Sequence, residues 1–307
     1  MDISLTILGC NSAKPCFGRH TTSQYLQFKN KAYIIDAGES VQKRITDFGL
    51  KPNKIEEIFI SHLHGDHILG LPGLLTSFSL SSRTKGLTIY CPPGLETFIN
   101  SFLKISSSHI SYPLHFVHLK DEKISTLMED KNLKVEAFQV KHRIPTWGFR
   151  FTEKISELNI NKEALVKYGL TVDEIKLAKA GVENIRDGEI TLDEVILPSH
   201  KPRSYVYCAD TVYSESFLEY AKKADLLYHE ATYLEDLKDK AKERMHSTAK
   251  EAATFAHKAQ VKDLIIGHYS SRYKNLEPLL LEAKEVFDNT LLAEEGKKYT
   301  IEKIFSF

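Results

Sequence analysis

Cysteine is scarce: Cys10, Cys16, Cys91 and Cys208 are the only four in 307 residues, and no two stand in C-x-x-C spacing. That argues against a disulfide scaffold, and it fits a reducing compartment, the cytoplasm. Net charge is absent too, with 41 lysines and arginines against 41 aspartates and glutamates. A neutral chain has no global field to gather nucleic acid, so a polyanion must be met by a local patch or by the site itself. No apolar run approaches the ~20 residues of a membrane span, so no membrane partner is expected. Met1-Asp2-Ile3-Ser4-Leu5 lacks the basic and long apolar parts of a secretory signal. No internal repeat or low-complexity tract is present. What remains, 42% hydrophobic and 27% charged, is ample for one α/β domain over 1–307.

Against that plain background one segment stands out. The strand-like Ile55–Ile60 runs into Ser61-His62-Leu63-His64-Gly65-Asp66-His67. Three imidazoles and a carboxylate crowd together, which no ordinary core does. Imidazole nitrogen and carboxylate oxygen are the ligands zinc takes when thiolate is missing. The H-x-H-x-D-H spacing offers two sets in one loop: His62 and His64 for one metal, Asp66 and His67 for another.

The rest of a two-metal set is expected at other strand ends. His142 follows the run Leu133–Val140, Asp210 follows Ser204–Cys208, His229 follows Leu226–Tyr228, and His268 follows Leu264–Ile266. Layered α/β folds place ligands beyond strand ends, on loops held by the sheet. The expected assignment is His62, His64 and His142 on the first zinc and Asp66, His67 and His268 on the second. Asp210 bridges both, since a carboxylate has two oxygens. Such pairs stabilise the charge of a phosphodiester under hydrolysis. Thr248 and Glu251 have capping-box spacing ahead of an Ala-rich helix. Ser40 is expected to cap a helix to about Phe48, and Tyr299–Phe305 to form a last strand.

The loop, followed by Gly70-Leu71-Pro72-Gly73-Leu74-Leu75, resembles the signature of the ribonuclease Z family. Further resemblances are Ala209-Asp210-Thr211, His229-Glu230-Ala231-Thr232, His246-Ser247-Thr248 and His268-Tyr269-Ser270-Ser271-Arg272-Tyr273. They keep the family's order from Met1 to about Tyr273. The resemblance implies a metallo-β-lactamase αββα sandwich with an inserted surface arm, two Zn²⁺ per subunit, and a homodimer whose arm grips precursor tRNA. It implies an endoribonuclease that removes the 3′ trailer after the discriminator nucleotide, leaving a 3′-hydroxyl on tRNA and a 5′-phosphate on the trailer. It also implies Asp66 as proton acceptor. His246 is the candidate proton donor to the leaving 3′-oxygen, with Glu230 orienting it. Arg272 and Ser270 are candidates to hold the phosphate. His20, His109, His115, His118, His200 and His257 are assigned no role.

The arm, about 153–197, is polar and interrupts the strand alternation. From Glu153 to Glu194 it carries six lysines and arginines against ten acids. Family members carry a Gly-Pro-containing basic segment there. This chain has Thr171-Val172-Asp173-Glu174-Ile175-Lys176-Leu177-Ala178-Lys179 instead. Pro15-Cys16-Phe17-Gly18-Arg19-His20 keeps the proline and arginine of the family's P-x-K-x-R-N loop but not its lysine or asparagine. The competing reading is another hydrolase of the superfamily, acting on small phosphodiesters, sulfate esters or thioesters. A metal-binding RNA binder without turnover has no use for His246.

Overall fold

Two seven-stranded mixed sheets stack face to face in the computed structural model, which describes residues 3–154, 158–197 and 200–304. The first sheet runs, in spatial order, Lys298–Ile301, Ile3–Gly9, Ser23–Phe28, Lys31–Ala37, Ile55–Phe59, Leu87–Cys91 and Leu114–His118. The second runs Thr290–Leu292, Asp263–Gly267, Leu226–Glu230, Ser204–Cys208, Trp147–Glu153, Leu133–Gln139 and Ile124–Glu129. Each sheet contains a block of four parallel strands, from Lys31–Ala37 to Leu114–His118 and from Ser204–Cys208 to Thr290–Leu292. Those central strands are buried on both faces and so read as apolar runs rather than alternation.

The core between the sheets is aromatic. Phe59 meets Phe151 edge-on at 5.2 Å and lies 5.5 Å from Phe149, spacings at which aromatic pairs add to plain burial. Helices Val41–Asp47, Leu71–Leu80 and Leu95–Ile105 cover the outer face of the first sheet with Val41, Ile45, Leu71, Leu75, Leu95 and Ile99. Ala249–Ala259 covers the second, burying Ala252, Ala253, Ala256 and Ala259 completely. The expected capping box of Thr248 and Glu251 starts that helix. Ser40 does not cap: it precedes Val41 in the left-handed region at φ 72° and makes no side-chain cap bond. The last strand stops at Ile301, short of the expected Phe305, which lies outside the described residues.

The arm folds around its own small core of Ala164, Leu170, Ala178, Ile185, Ile190 and Val195. Its helices Lys162–Tyr168, Val172–Lys179 and Leu192–Val195 start at Asn161, Thr171 and Thr191, each a residue type that satisfies orphan N–H groups. At its root the buried Glu153 holds the buried Arg203 through two oxygens, at 2.9 and 3.0 Å. The loops carrying the His segment sit where the C-terminal ends of the parallel strands converge. Gly38 and Gly70 let two of them touch: a Cβ on Gly70 would lie 2.0 Å from the Gly38 carbonyl oxygen.

Candidate metal centre

The structure brings His62, His64, His142 and Asp210 into one group whose ligand atoms lie within 4.8 Å of one another. Asp66, His67 and His268 form a second group on the same criterion. Asp210 faces both. Its Oδ2 is 3.7 Å from His62 Nε2 and 4.0 Å from His142 Nε2, while its Oδ1 is 3.5 Å from His67 Nε2 and 3.2 Å from His268 Nε2. One oxygen to each side is the disposition that bridging requires. Asp66 Oδ2 completes the second group, 3.7 Å from His67 Nε2 and 3.3 Å from His268 Nε2.

The proton positions say what these groups are for. His142 Nδ1 donates to the Met245 carbonyl at 2.8 Å, so its Nε2 carries a lone pair. His67 Nδ1 donates to Asp36 Oδ2 at 2.8 Å. Ser61 Oγ donates to Asp36 at 2.8 Å, and so it accepts from His62 Nδ1 at 3.0 Å. Thr232 Oγ1 donates to Glu230 Oε2 at 2.6 Å and accepts from His268 Nδ1 at 3.0 Å. Each outer nitrogen is thus tied to an acceptor, and four inner lone pairs converge. His62 Nε2 and His142 Nε2 stand only 3.0 and 3.2 Å from His64 Nδ1. Among the described residues His67 Nε2 is buried with no hydrogen-bond partner. Converging lone pairs and two carboxylates repel one another unless a cation lies between them, and imidazole–carboxylate sets suit zinc.

The electrostatics agree. Burial pushes the His62, His64 and His142 imidazoles below their ordinary value, toward the neutral ligand form. Burial would raise Asp66 and Asp210, but the surrounding imidazoles outweigh it and hold both carboxyls ionised. Burial likewise opposes charge on His67, yet Asp210, Asp36 and Asp66 drive it well above its ordinary value. That field favours a positive charge beside His67 Nε2, whether a proton or a metal.

Beside the two groups stands a third pair. His246 Nδ1 is 2.7 Å from Glu230 Oε1 and 4.0 Å from Asp210 Oδ2. Glu230 is fully buried and accepts from the Thr211 and Thr232 N–H groups at 2.9 and 3.2 Å, which fixes its plane. Burial disfavours charge on His246, but Glu230 more than compensates and the imidazole is raised to about 9. Arg272 Nε donates to Ser270 Oγ at 3.1 Å, and its guanidinium lies over the Tyr233 ring at 5.4 Å. Tyr233 in turn lies 6.3 Å from the His246 ring.

His229 does not join the centre. It is the fourth residue of the Leu226–Glu230 strand, and its ring packs outward on Phe255 at 5.2 Å. The strand is one residue longer than its apolar run suggests, so Glu230 rather than His229 reaches the site. Sequence reasoning also missed Asp36 and Thr232. Asp36 is fully buried at φ 55° and receives Ser61, His67 and, from the opposite sheet, the Tyr207 hydroxyl at 2.6 Å. A carboxylate at the end of Lys31–Ala37 satisfies the same strand-end criterion that singles out Asp210. Thr232 carried no signal beyond its place in the His229–Thr232 motif.

The family model described as Anti-Pycsar protein Apyc1 matches residues 3–176. The Ribonuclease Z of Parabacteroides distasonis is 39% identical over 302 residues, spanning 98% of this chain and 99% of that protein. The short form of human tRNase Z aligns with a TM-score of 0.71 at 29% identity, over 97% of this chain and 99% of that one. The metallo-β-lactamase fold protein YhfI from Bacillus subtilis aligns at 0.70 and 20% identity, over 98% and 100%, a likeness of fold alone. The two stacked sheets with outer helices are therefore the metallo-β-lactamase sandwich. The chain belongs, over residues 3–176, to the family of the Apyc1 model and, over nearly its whole length, to the ribonuclease Z family.

Proposed function

We propose that this chain is the endoribonuclease that removes the 3′ trailer from precursor tRNA after the discriminator nucleotide, leaving a tRNA 3′-hydroxyl and a trailer 5′-phosphate. The observation that carries the reading is the Glu230–His246 pair at 2.7 Å beside the two ligand groups. A hydrolase with a good leaving group has little need of a buried, protonated imidazole; a ribose 3′-oxygen does need a proton. The near full-length likeness to Ribonuclease Z relatives supports the same substrate.

His62, His64, His142 and Asp210 would hold one zinc, and Asp66, His67, Asp210 and His268 the other. Bound there, two Zn²⁺ supply positive charge beside the phosphate and acidify the attacking water. Asp66 takes up that water's proton; its Oδ2 is fixed by the Ala13 N–H at 2.7 Å. His246 gives its Nε2 proton to the departing 3′-oxygen, while Glu230 on Nδ1 sets the tautomer and keeps the ring charged. Such transfer contributes on the order of 10²–10⁴-fold. Arg272, steadied by Ser270 and Tyr233, offers a guanidinium to the phosphate oxygens.

A homodimer in the cytoplasm completes the proposal. Leu80 and Ile105, 87% and 85% exposed at the ends of two outer helices, are apolar side chains that a second copy would cover. Among the described residues no helix is long and apolar enough to cross a membrane. The decisive experiment incubates the protein with a precursor tRNA bearing a 3′ trailer and maps both ends. A cut after the discriminator is expected. No cut there, alongside fast turnover of a small phosphodiester, would put the chain among the small-molecule hydrolases.

A further inference from the structure

Next to the ligand groups lies a pocket of about 500 Å³ that none of this chemistry uses. Its walls are the Trp147 indole, the rings of Pro92, Pro93 and Pro145, and the side chains of Leu63 and Ile144. Leu63 stands between His62 and His64, and Ile144 follows His142 by two positions. The pocket's wall thus lies within two residues in sequence of the His62–His64–His142 group. Trp147 is buried, and its Nε1 donates to the Lys120 carbonyl at 3.2 Å, which fixes the plane of the ring. Among the described residues Asp121 is the one charged lining residue, and its carboxylate accepts from Gln139. No lysine or arginine among the described residues lines the pocket.

That composition selects the occupant. A lining that carries a carboxylate and, among the described residues, no lysine or arginine does not draw a phosphate in. Flat apolar and aromatic walls hold an uncharged ring, and bases stack on such faces whatever their identity. A trailer-processing enzyme needs that tolerance.

We propose that the pocket receives the base of the first trailer nucleotide, an assignment that rests on the trailer-removal reading above. The side follows from the chemistry. The leaving 3′-oxygen belongs to the tRNA and lies at His246, among Tyr233, Arg272 and His268. The pocket shares no residue with that group. In an in-line displacement the 3′-oxygen departs opposite the attacking water, and the trailer's 5′-oxygen lies in the plane between them. The tRNA ribose is thus at His246, and the trailer nucleoside turns aside, past His64 and His142, toward Leu63 and Ile144.

The test uses precursors carrying a single abasic residue, at the discriminator or at the first trailer position. With the wild-type protein, kcat/KM is expected to fall about tenfold for the abasic trailer and by less than about twofold for the abasic discriminator. Ile144→Trp, which fills the pocket, is expected to lose a similar factor on the intact precursor and nothing more on the abasic trailer. Its metal content reports that it is folded, and the wild-type arms stand without it. Equal cleavage of all three precursors overturns the proposal, as does a loss confined to the abasic discriminator. So does a further loss on the abasic trailer in Ile144→Trp. Failure to cut even the intact precursor refutes trailer removal itself, and the pocket assignment with it.

Discussion

The metal centre and the arm are held in opposite ways. At the centre, side chains from both sheets converge on a few buried atoms, and nearly every one is fixed from behind: His67 by Asp36, His142 by Met245, His268 by Thr232, His246 by Glu230. In the arm, order is local. Three helices begin on their own caps, Arg186 grips Glu174 at 2.7 Å, Lys176 meets Asp173 at 2.9 Å, and the shared core is six residues. Exposed pairs of that kind contribute little. The centre is therefore rigid because distant parts of the chain agree on it, and the arm is a module attached at one root. Two of its few cations, Lys176 and Arg186, are answered by its own acids, which leaves fewer of them to meet a phosphate backbone.

The contrast is broken most severely at the residue that belongs to both ligand groups. Asp210→Ala is expected to reduce bound zinc from two per chain to less than one and to bring trailer removal to background. Elemental analysis alongside the cleavage assay checks it. Full metal content in the variant would mean that Asp210 is not shared. His246→Ala comes next: cleavage should fall by about 10²–10⁴ with zinc retained. Loss of zinc there would place His246 among the ligands, near His268 and Asp210, rather than at the leaving oxygen.

Much of this was legible beforehand, for a physical reason. The apolar runs of the parallel strands mark the sheet, and the metal-type residues sit where those runs stop; both are local signals. The unread parts are non-local. Asp36 stands at a strand end, but its weight comes from Tyr207, which reaches it from the other sheet; Thr232 matters because its hydroxyl links neighbouring Glu230 to His268, 36 residues on. His229 was misplaced by a single residue, since a strand buried on both faces has no alternation to mark its last member.

Asp36→Asn sharpens the centre from behind. An amide cannot accept from His67, Ser61 and Tyr207 together, so the ligand is loosened though no ligand is removed. Metal affinity should drop by about 10–100-fold, read by competition with a chelator. An unchanged affinity would reduce Asp36 to a packing residue. On the other side of the contrast, replacing 155–193 with a short linker should raise KM for precursor tRNA about tenfold, through lost backbone contacts. Hydrolysis of a small diester should be unaffected. If tRNA processing is equally unaffected, the arm is not the grip.

The smallest effect on cleavage, and the most informative about attachment, is expected at the root. Burial raises the Glu153 carboxyl, but Arg203 and His200 outweigh it and hold it below its ordinary 4.5. A carboxyl depressed in the folded state contributes stability that is full above its unfolded value and fades as pH falls through the folded one. The root should therefore weaken only below about pH 4.5. Glu153→Gln takes the carboxylate from a guanidinium that is 2% exposed, a change that costs about 3–5 kcal/mol in buried pairs. Hydrogen exchange at neutral pH should then show the arm opening more readily while the amides around His67 stay protected. The variant should also lack the wild-type acid step below pH 4.5, since the titrating group is gone. If exchange instead rises equally at His67 and in the arm, the root is part of the sandwich's own stability, and the arm is not a separate module.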